Sequence, residues 1–310
     1  MRAEFSEFTF GFSLVSELAH LLGCRAVPVF PSLIMEGSDG GGYDVEMSLG
    51  AVPLYLQFKL SEHLKTNRAK EAQNHPDVIQ APYKRFAITS SDVSKQHEML
   101  VALNQTHAHV FYSAPNFYTY AALNRFWTRG SVSDNTLYVR PNEIGPIEDG
   151  LRHTICFNGL SFADGNCFLF SKPKPVPALA FDRVRVGLSR ALEEAKTPLR
   201  DLLPNWMEDL RTAREAGERL HEIRAAAVEK QRAEDRLAKE DSDATDVVER
   251  HALVSDSFKV IDPEPEAVAL PRPRPIPLSQ ADEDRAGLSD FGREVATVFQ
   301  AQAFILQAQS

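Results

Sequence analysis

The apolar and polar positions of the first 130 residues follow two different periods. Apolar residues recur every three or four positions over residues 8–23, which predicts a helix that ends near Gly23. The segments YDVEMSL (43–49) and LYLQFKL (54–60) have the pattern of strands, and GAVP between them predicts a loop that joins antiparallel neighbours. Downstream, the pattern predicts a third strand, an amphipathic helix, a fourth strand and another helix, at residues 83–89, 90–105, 108–115 and 116–127. This order of elements is typical of a compact α/β unit.

The second half of the chain changes from strands to helices. Two strand-like runs, HTICFN and NCFLFS, precede a proline-rich segment that ends near residue 180. Helical patterns follow, and the longest runs from Leu199 to Lys239 with a narrow apolar stripe, as in a surface helix laid on a core or a partner. The predicted organisation is an α/β domain, a helical region with one long helix, a proline-rich acidic linker and a closing helix, over residues 1–180, 181–240, 241–281 and 282–310.

Composition narrows the class of protein. The 310 residues are 43% hydrophobic, as in ordinary globular chains, and no stretch approaches the roughly 18 to 20 consecutive apolar residues of a membrane span. The first residues lack a positively charged segment that leads into an apolar one. We therefore expect a cytoplasmic protein with no membrane partner. Three scattered cysteines suggest neither a disulfide framework nor a zinc site.

The charge of the chain is unevenly distributed. The net charge of −9 argues against a protein that coats nucleic acid by bulk electrostatics. Residues 181–310 carry 19 basic and 26 acidic side chains, whereas residues 1–180 carry 15 and 17. The acidity lies mostly in the C-terminal part, so a local basic strip in the first part is still compatible with nucleic-acid binding.

Three polar residues stand out in the predicted hairpin. Successive side chains of a strand point to opposite faces, so Gln57 and Lys59 share one face while Phe58 points to the other. Across the predicted GAVP loop, Asp44 lies opposite or diagonal to this pair. A carboxylate, an amide oxygen and an ammonium group can then converge in one small space.

A divalent cation accounts for this set of groups. Mg²⁺ prefers hard oxygen ligands at about 2.0–2.1 Å and keeps several waters, so an aspartate and an amide or backbone carbonyl oxygen anchor it when a substrate phosphate completes the shell. A protonated lysine beside the metal can orient the attacking water and offset charge on the phosphate. The arrangement suits phosphodiester hydrolysis. In the structural alternative, Asp44 caps the glycine-rich turn and Lys59 is exposed on an edge strand.

At these residues the chain resembles the PD-(D/E)xK nuclease superfamily. That family has a helix, a three-strand meander, a helix and a further strand, with an aspartate on the second strand and a (Glu or Gln)-x-Lys motif on the third. The motif corresponds here to Asp44 and to QFK (57–59), and the downstream segments YKRFAIT, VSKQHEMLVALN and HVFYS follow in the expected order. The glutamine matches the Mrr-like branch and nuclease domains of bacterial anti-phage systems. The family's proline before the aspartate is replaced by Tyr43.

The resemblance implies a restriction-endonuclease-like core, with a mixed central sheet flanked by helices, followed by a helical C-terminal region. It implies that Asp44, Gln57 and the backbone carbonyl of Phe58 hold Mg²⁺, with Mn²⁺ as a substitute. Lys59 would then position the nucleophilic water, and Glu17 of the first helix would assist the metal or the water. The implied activity is a metal-dependent endonuclease acting on DNA, double-stranded more than single-stranded, in bacterial defence against phage or foreign DNA.

Other residues are candidates for contacts with the substrate. Lys95 and Gln96, after the third strand, can approach the same site or form an exposed helix face. A basic cluster lies in the loop after the QFK strand and can grip a DNA backbone or simply be solvated; it consists of His63, Lys65, Arg68 and Lys70. The C-terminal helices are candidates for a homo-oligomer contact or a partner protein. The alternative function is a catalytically inactive nuclease-like fold that acts as an interaction or regulatory module through those helices.

Overall fold

The structure is a computed structural model, and it contains helices on both sides of a sheet. It describes residues 1–21, 51–89, 94–147, 153–159, 167–170, 173–243, 280–299 and 302–307. The helices are α1 (Glu7–Leu21), α2 (Lys70–Asn74), α3 (Gln96–Thr106), α4 (Tyr120–Thr128), α5 (Pro141–Ile144), α6 (Phe181–Glu194), α7 (Leu199–Asp243) and α8 (Gln280–Val298), with one 3₁₀ turn at Ser133–Asn135. Among these helices, none combines the length and the apolarity that crossing a membrane requires.

The strands form two sheets of five. They are β1 (Ala51–Phe58), β2 (Glu62–Leu64), β3 (Tyr83–Ile88), β4 (Val110–Pro115), β5 (Thr136–Val139), β6 (His153–Phe157), β7 (Cys167–Phe170), β8 (Lys174–Pro175), β9 (Ala178–Leu179) and β10 (Gln302–Gln307). The first sheet has the order β10-β1-β4-β5-β9 and the second has the order β2-β3-β6-β7-β8. Among the pairs of described strands, only β1–β4 is parallel, so the first sheet is mixed and the second is antiparallel. The predicted α/β class with a mixed, helix-flanked sheet is confirmed.

The alternation of β1 sorts its side chains between two apolar cores. Its even-numbered residues, such as Leu54 and Leu56, pack with α1 and α6. Ala51 and Tyr55, which are odd-numbered, pack with α3, α7 and α8. Each face of β1 is therefore covered by helices, and a polar side chain at an odd position near the end of the strand meets α3.

Several elements of the structure differ from the sequence predictions, including β2, which lies in the segment predicted as a loop after the QFK strand. The GAVP segment is not wholly a loop, because β1 already begins at Ala51. The third strand, β3, does not join the sheet of β1 but pairs with β2 and β6. The strand TLYV (β5) was not predicted, since four residues are too few to display a period. The predicted strand over 43–49 and most of the predicted linker over 241–281 lie outside the described residues.

The end of the chain also differs from the predicted closing helix over 282–310. Helix α8 ends at Val298, and residues 302–307 form β10. This strand pairs antiparallel with residues 51–56 of β1. Phe299 and Ala303 lie in the same buried core as Tyr55. The C-terminal elements are therefore part of the packing of the first sheet and do not form a separate appendage.

Candidate active site

The candidate site is centred on the C-terminal end of β1, where Gln57 and Lys59 project towards α3. Gln96, the first residue of α3, lies between them. Its Oε1 accepts a hydrogen bond from Lys59 Nζ at 2.9 Å, and its Nε2 donates to Gln57 Oε1 at 2.8 Å. The structure thus brings both residues of the QFK motif to one face, with Gln96 as the bridge. The position of Lys59 also differs from the structural alternative, because β1 has a neighbour on either side and is not an edge strand.

Phe58 contributes its backbone to the site and its ring to the core. Its carbonyl oxygen accepts a hydrogen bond from Gln57 Nε2 at 3.0 Å. Its ring lies edge-on to Phe10 of α1, with centroids 5.9 Å apart. A side chain at Gly11 would place a Cβ 2.8 Å from the Phe58 ring, so this glycine permits the close approach of α1 to β1. This contact fixes the start of α1 beside the end of β1.

Lys59 is a largely enclosed cation. Burial lowers the pKa of Lys59, and the nearby Glu7 carboxylate partly opposes that shift. The Nζ lies 5.9 Å from the centre of the Tyr112 ring, within the range of a cation–π contact. The backbone N–H of Lys59 donates to Ser113 O on the parallel strand β4 at 2.9 Å. Its position is therefore held by both the backbone and the side chain.

The acidic residue that α1 brings to Lys59 is Glu7, which the sequence analysis missed. Burial raises the pKa of Glu7, whereas the charge of Lys59 lowers it. Both side chains line the same cavity. The helical pattern alone gave no indication of this, because Glu7 lies in the first turn of α1 and the strand end it meets is 52 residues away along the chain.

Glu17, the predicted acidic residue of α1, is buried elsewhere. Its carboxylate accepts hydrogen bonds from the backbone N–H groups of Val132 (2.7 Å) and Ser133 (2.9 Å) and from the Ser133 hydroxyl. It lies about 15 Å further along the helix axis than Glu7. Its carboxylate satisfies the backbone N–H groups at the start of the 3₁₀ turn. The structure therefore does not bring Glu17 to Lys59.

A cavity of about 600 Å³ opens beside Lys59 and Glu7. Its other walls come from the N-terminal segment, α2 and the second sheet; they include Arg2, Lys70, Asn74, His75, Arg85, Phe86, Thr154 and Phe170. Arg85 is neutralised there, since it donates to Glu62 at 2.9 Å and to Glu71 at 2.5 Å. The second sheet, which the sequence analysis did not foresee, thus supplies a large part of the cavity wall.

The predicted substrate-contacting residues are divided by the structure. Lys70 lines the cavity and Gln96 is part of the site, as described above. His63 stacks on Tyr118, with ring centroids 4.6 Å apart, and burial lowers its pKa. Lys65, Arg68 and Lys95 are exposed side chains that do not line this cavity.

A metal ion at this site depends on a residue outside the described part of the chain. Asp44 is not among the described residues. Within the described ranges, no group of three or more His, Cys, Asp or Glu side chains could hold a metal ion. The hard-oxygen donors present are the amide oxygen of Gln57 and the carbonyl oxygen of Phe58, each with a second lone pair beyond its hydrogen bond. These two oxygens are suitable neutral ligands for Mg²⁺, and Asp44 would supply the negatively charged carboxylate ligand.

His97, next to Gln96, holds α3 against β4. Its Nε2 donates to the carbonyl oxygen of Gly145 at 2.9 Å, because a carbonyl can only accept, so Nδ1 accepts from the Tyr112 hydroxyl at 3.0 Å. Burial lowers the pKa of His97 to about 4, although the bond to Gly145 opposes the shift. The neutral ring is therefore the form that the fold requires.

We expect the protein to lose stability as the pH falls from 6.5 towards 4, because the unfolded chain binds a proton at His97 and the folded one does not. The shift from 6.5 to about 4 corresponds to a loss of about 3 kcal/mol in the free energy of unfolding. Urea unfolding of the wild type and of His97→Gln, at pH values from 7 to 4, measures this. The glutamine variant should lack this component, and parallel pH curves for the two proteins would contradict the assignment.

Comparison with known proteins gives no relative: no protein-family model, no curated protein and no solved structure matches the chain. The interpretation of the site therefore depends on its own geometry, in which a bridged Gln57–Gln96–Lys59 chain meets Glu7 at the wall of a cavity.

Proposed function

We propose that the protein is a metal-dependent endonuclease that hydrolyses phosphodiester bonds of DNA, in bacterial defence against phage or foreign DNA. The observation that supports it best is the chain of hydrogen bonds from Gln57 through Gln96 to Lys59, at the end of a central strand beside a cavity. A cation held in an enclosed, prearranged position stabilises charge that develops on a phosphate more strongly than the same cation in water. The proposed activity requires neither a membrane nor a zinc ion.

The proposed fold family has support in the connection between β1 and β4. These neighbouring strands are parallel, and α3 lies in the segment that joins them. In a restriction-endonuclease-like core, this is the relation expected between the strand that carries the QxK motif and the strand that follows the second helix. The β2, α2 and β3 elements would then be an insertion that builds the second sheet.

In this proposal, Asp44, Gln57 Oε1 and the carbonyl oxygen of Phe58 would hold Mg²⁺ or Mn²⁺. When bound, the ion supplies Lewis acidity to the phosphate and lowers the pKa of a bound water. Lys59, held by Gln96, lies where it can donate to a phosphate oxygen and offset the charge of the transition state. Glu7 takes the part that the resemblance had assigned to Glu17, which is to orient a water. It also favours the protonated form of Lys59, since its charge raises the pKa of Lys59 against the effect of burial.

Cleavage of supercoiled plasmid tests the proposal. The wild type should nick or linearise plasmid with Mg²⁺ or Mn²⁺ and not with EDTA, and Asp44→Asn should lose this activity. Glu7→Gln should lower the rate, whereas Glu4→Gln, a nearby exposed glutamate outside the cavity, should not. Equal cleavage by the wild type and by Asp44→Asn would contradict the proposed activity. The absence of cleavage by the wild type with both Mg²⁺ and Mn²⁺ would contradict it as well.

One observation favours a non-catalytic alternative. Gln57 Oε1 and the carbonyl oxygen of Phe58 already accept hydrogen bonds from protein donors, so the site is stable without a metal. A nuclease-like fold of this kind would serve as a regulatory or interaction module, with a second copy or another protein on the C-terminal helices. Mg²⁺ distinguishes the two: a metal-binding site is expected to raise the melting temperature of the wild type but not of Asp44→Asn.

A further inference from the structure

We propose that the cavity beside Lys59 accommodates one unpaired nucleotide adjacent to the phosphate that is cleaved. This inference rests on the proposed function, because it places the reacting phosphate at Lys59. It adds to that function the form of the substrate: the strand enters this site as a splayed single nucleotide and not as part of a stacked duplex.

The size and position of the cavity support a single nucleotide. Its volume of about 600 Å³ lies within the range of pockets that enclose one small organic ligand, about 300–1,000 Å³. A base pair cannot enter such a space, since both strands of a duplex would have to follow it. Lys59 and Glu7 form one wall, so a nucleotide in the cavity has its linking phosphate beside the candidate catalytic groups.

The cations of the lining favour a ligand that carries a phosphate. Arg85 forms ion pairs with Glu62 and Glu71, so its charge is compensated within the wall and is not counted as a phosphate contact. Arg2 and Lys70 also line the cavity, and neither takes part in an ion pair among the residues that the structure describes. With Lys59 they place three cationic groups on the lining in addition to Arg85, against the carboxylates of Glu7, Glu62 and Glu71, and two of these carboxylates are paired with Arg85. These three cations can contact phosphate oxygens.

Other residues of the lining have features that bind a base. The half-buried ring of His75 lies at the lining, with its centroid 5.8 Å from that of the buried Phe170 ring. Flat rings bind a base by stacking once it is unstacked from its neighbours. The amide of Asn74 and the hydroxyl of Thr154, both on the lining, can donate to or accept from a base edge. A free phosphate would contact the cations, but it would make no contact that requires the His75 ring, the Asn74 amide or the Thr154 hydroxyl.

Two sources give the same unpaired nucleotide: a single strand, or a base that leaves a duplex. Extruding a base costs the least free energy at a mismatch. A protein that extrudes a base is therefore expected to bind a mismatched duplex more tightly than a fully paired one. Fluorescence anisotropy with labelled oligodeoxynucleotides in EDTA measures binding without cleavage. The three probes are a single strand, a paired duplex and the same duplex with one central mismatch, at one salt concentration.

We expect the wild type to bind the single strand about tenfold more tightly than the paired duplex. Tight binding of the mismatched duplex as well shows that the base is extruded, and tight binding of the single strand alone shows that the nucleotide comes from an unpaired strand. His75→Ala and Asn74→Ala should each weaken binding of the preferred probes by about five- to tenfold and leave the duplex unchanged. The first loss reflects one base stack, and the second reflects one hydrogen bond to the base edge. Gln73→Ala, an exposed residue of the same short helix that does not line the cavity, should behave as wild type.

Equal affinity for the three probes, no binding to any of them, or an equal loss for all three in His75→Ala would overturn the nucleotide site. These outcomes are separate from those of the plasmid assay. Plasmid cleavage without a preference for unpaired probes rejects the pocket and keeps the nuclease. A preference without metal-dependent cleavage keeps the pocket and rejects the nuclease.

Discussion

Lys59→Met is expected to lower the rate of plasmid cleavage by about 10²- to 10³-fold, the usual effect of removing one prearranged charge-stabilising group. The methionine keeps the length and the apolar stem of the lysine, so the packing beside Tyr112 is preserved. Only the ammonium group that Gln96 holds at 2.9 Å is lost. The measurement is the initial rate of supercoiled plasmid loss with Mg²⁺ at fixed enzyme concentration.

A matched variant separates this effect from a general loss of positive charge. Lys65→Met removes the same charge from an exposed loop residue and should leave the rate within about twofold. Gln96→Leu should reduce the rate as well, since it leaves Lys59 Nζ and Gln57 Oε1 without their shared partner. A rate for Lys59→Met as high as that for Lys65→Met would show that Lys59 is not part of the chemistry.

Arg224→Ala is expected to lower the free energy of unfolding by about 3–5 kcal/mol, because it leaves a buried carboxylate without its charge partner. Arg224 of α7 pairs with Glu98 of α3, and the two side chains are only 3% and 4% exposed. Glu98 lies two residues after Gln96, so the pair also fixes the start of α3 beside the candidate site. Chemical denaturation of wild type and variant, followed by circular dichroism, measures the difference.

Two controls test whether the buried charge is the cause. The double variant Glu98→Gln with Arg224→Met removes both charges and should recover more than half of the loss. Arg219→Ala removes an exposed arginine from the same helix and should change the free energy of unfolding by less than about 0.5 kcal/mol. If the double variant were as unstable as Arg224→Ala, lost packing and not lost pairing would explain the result.

The sequence was sufficient to predict the elements that carry strong local patterns. Strands β1 and β4 lie close to the predicted segments, and the common face of Gln57 and Lys59 follows from the alternation of a strand. Helix α3 was also predicted, but it is not amphipathic, because every residue from Gln96 to Asn104 is buried. Long helices such as α7 are equally evident, because an apolar stripe sustained over many turns has few other interpretations.

The features that escaped prediction depend on contacts between distant segments. Glu7 and Glu17 lie on one helix and look equivalent in the sequence; the close contact at Gly11 brings the first to Lys59, and the 3₁₀ turn at Ser133 takes up the second. The run AFILQ has no clear period, and its pairing with β1 makes it a strand. The cavity could not be predicted for the same reason, since its walls come from the N-terminal segment, α1, the residues after β1, α2 and the second sheet.

The pairing of β10 with β1 has a consequence for the time course of synthesis. The paired residues are between 246 and 256 positions apart along the chain. At about 5–20 residues per second, a ribosome needs roughly 10 to 50 s to add the second strand after the first. Throughout that interval the strand bearing Gln57 and Lys59 lacks one of its neighbours, and the core beneath it lacks Phe299 and Ala303. A nascent chain therefore has an incomplete first sheet beside the candidate site until β10 has been synthesised.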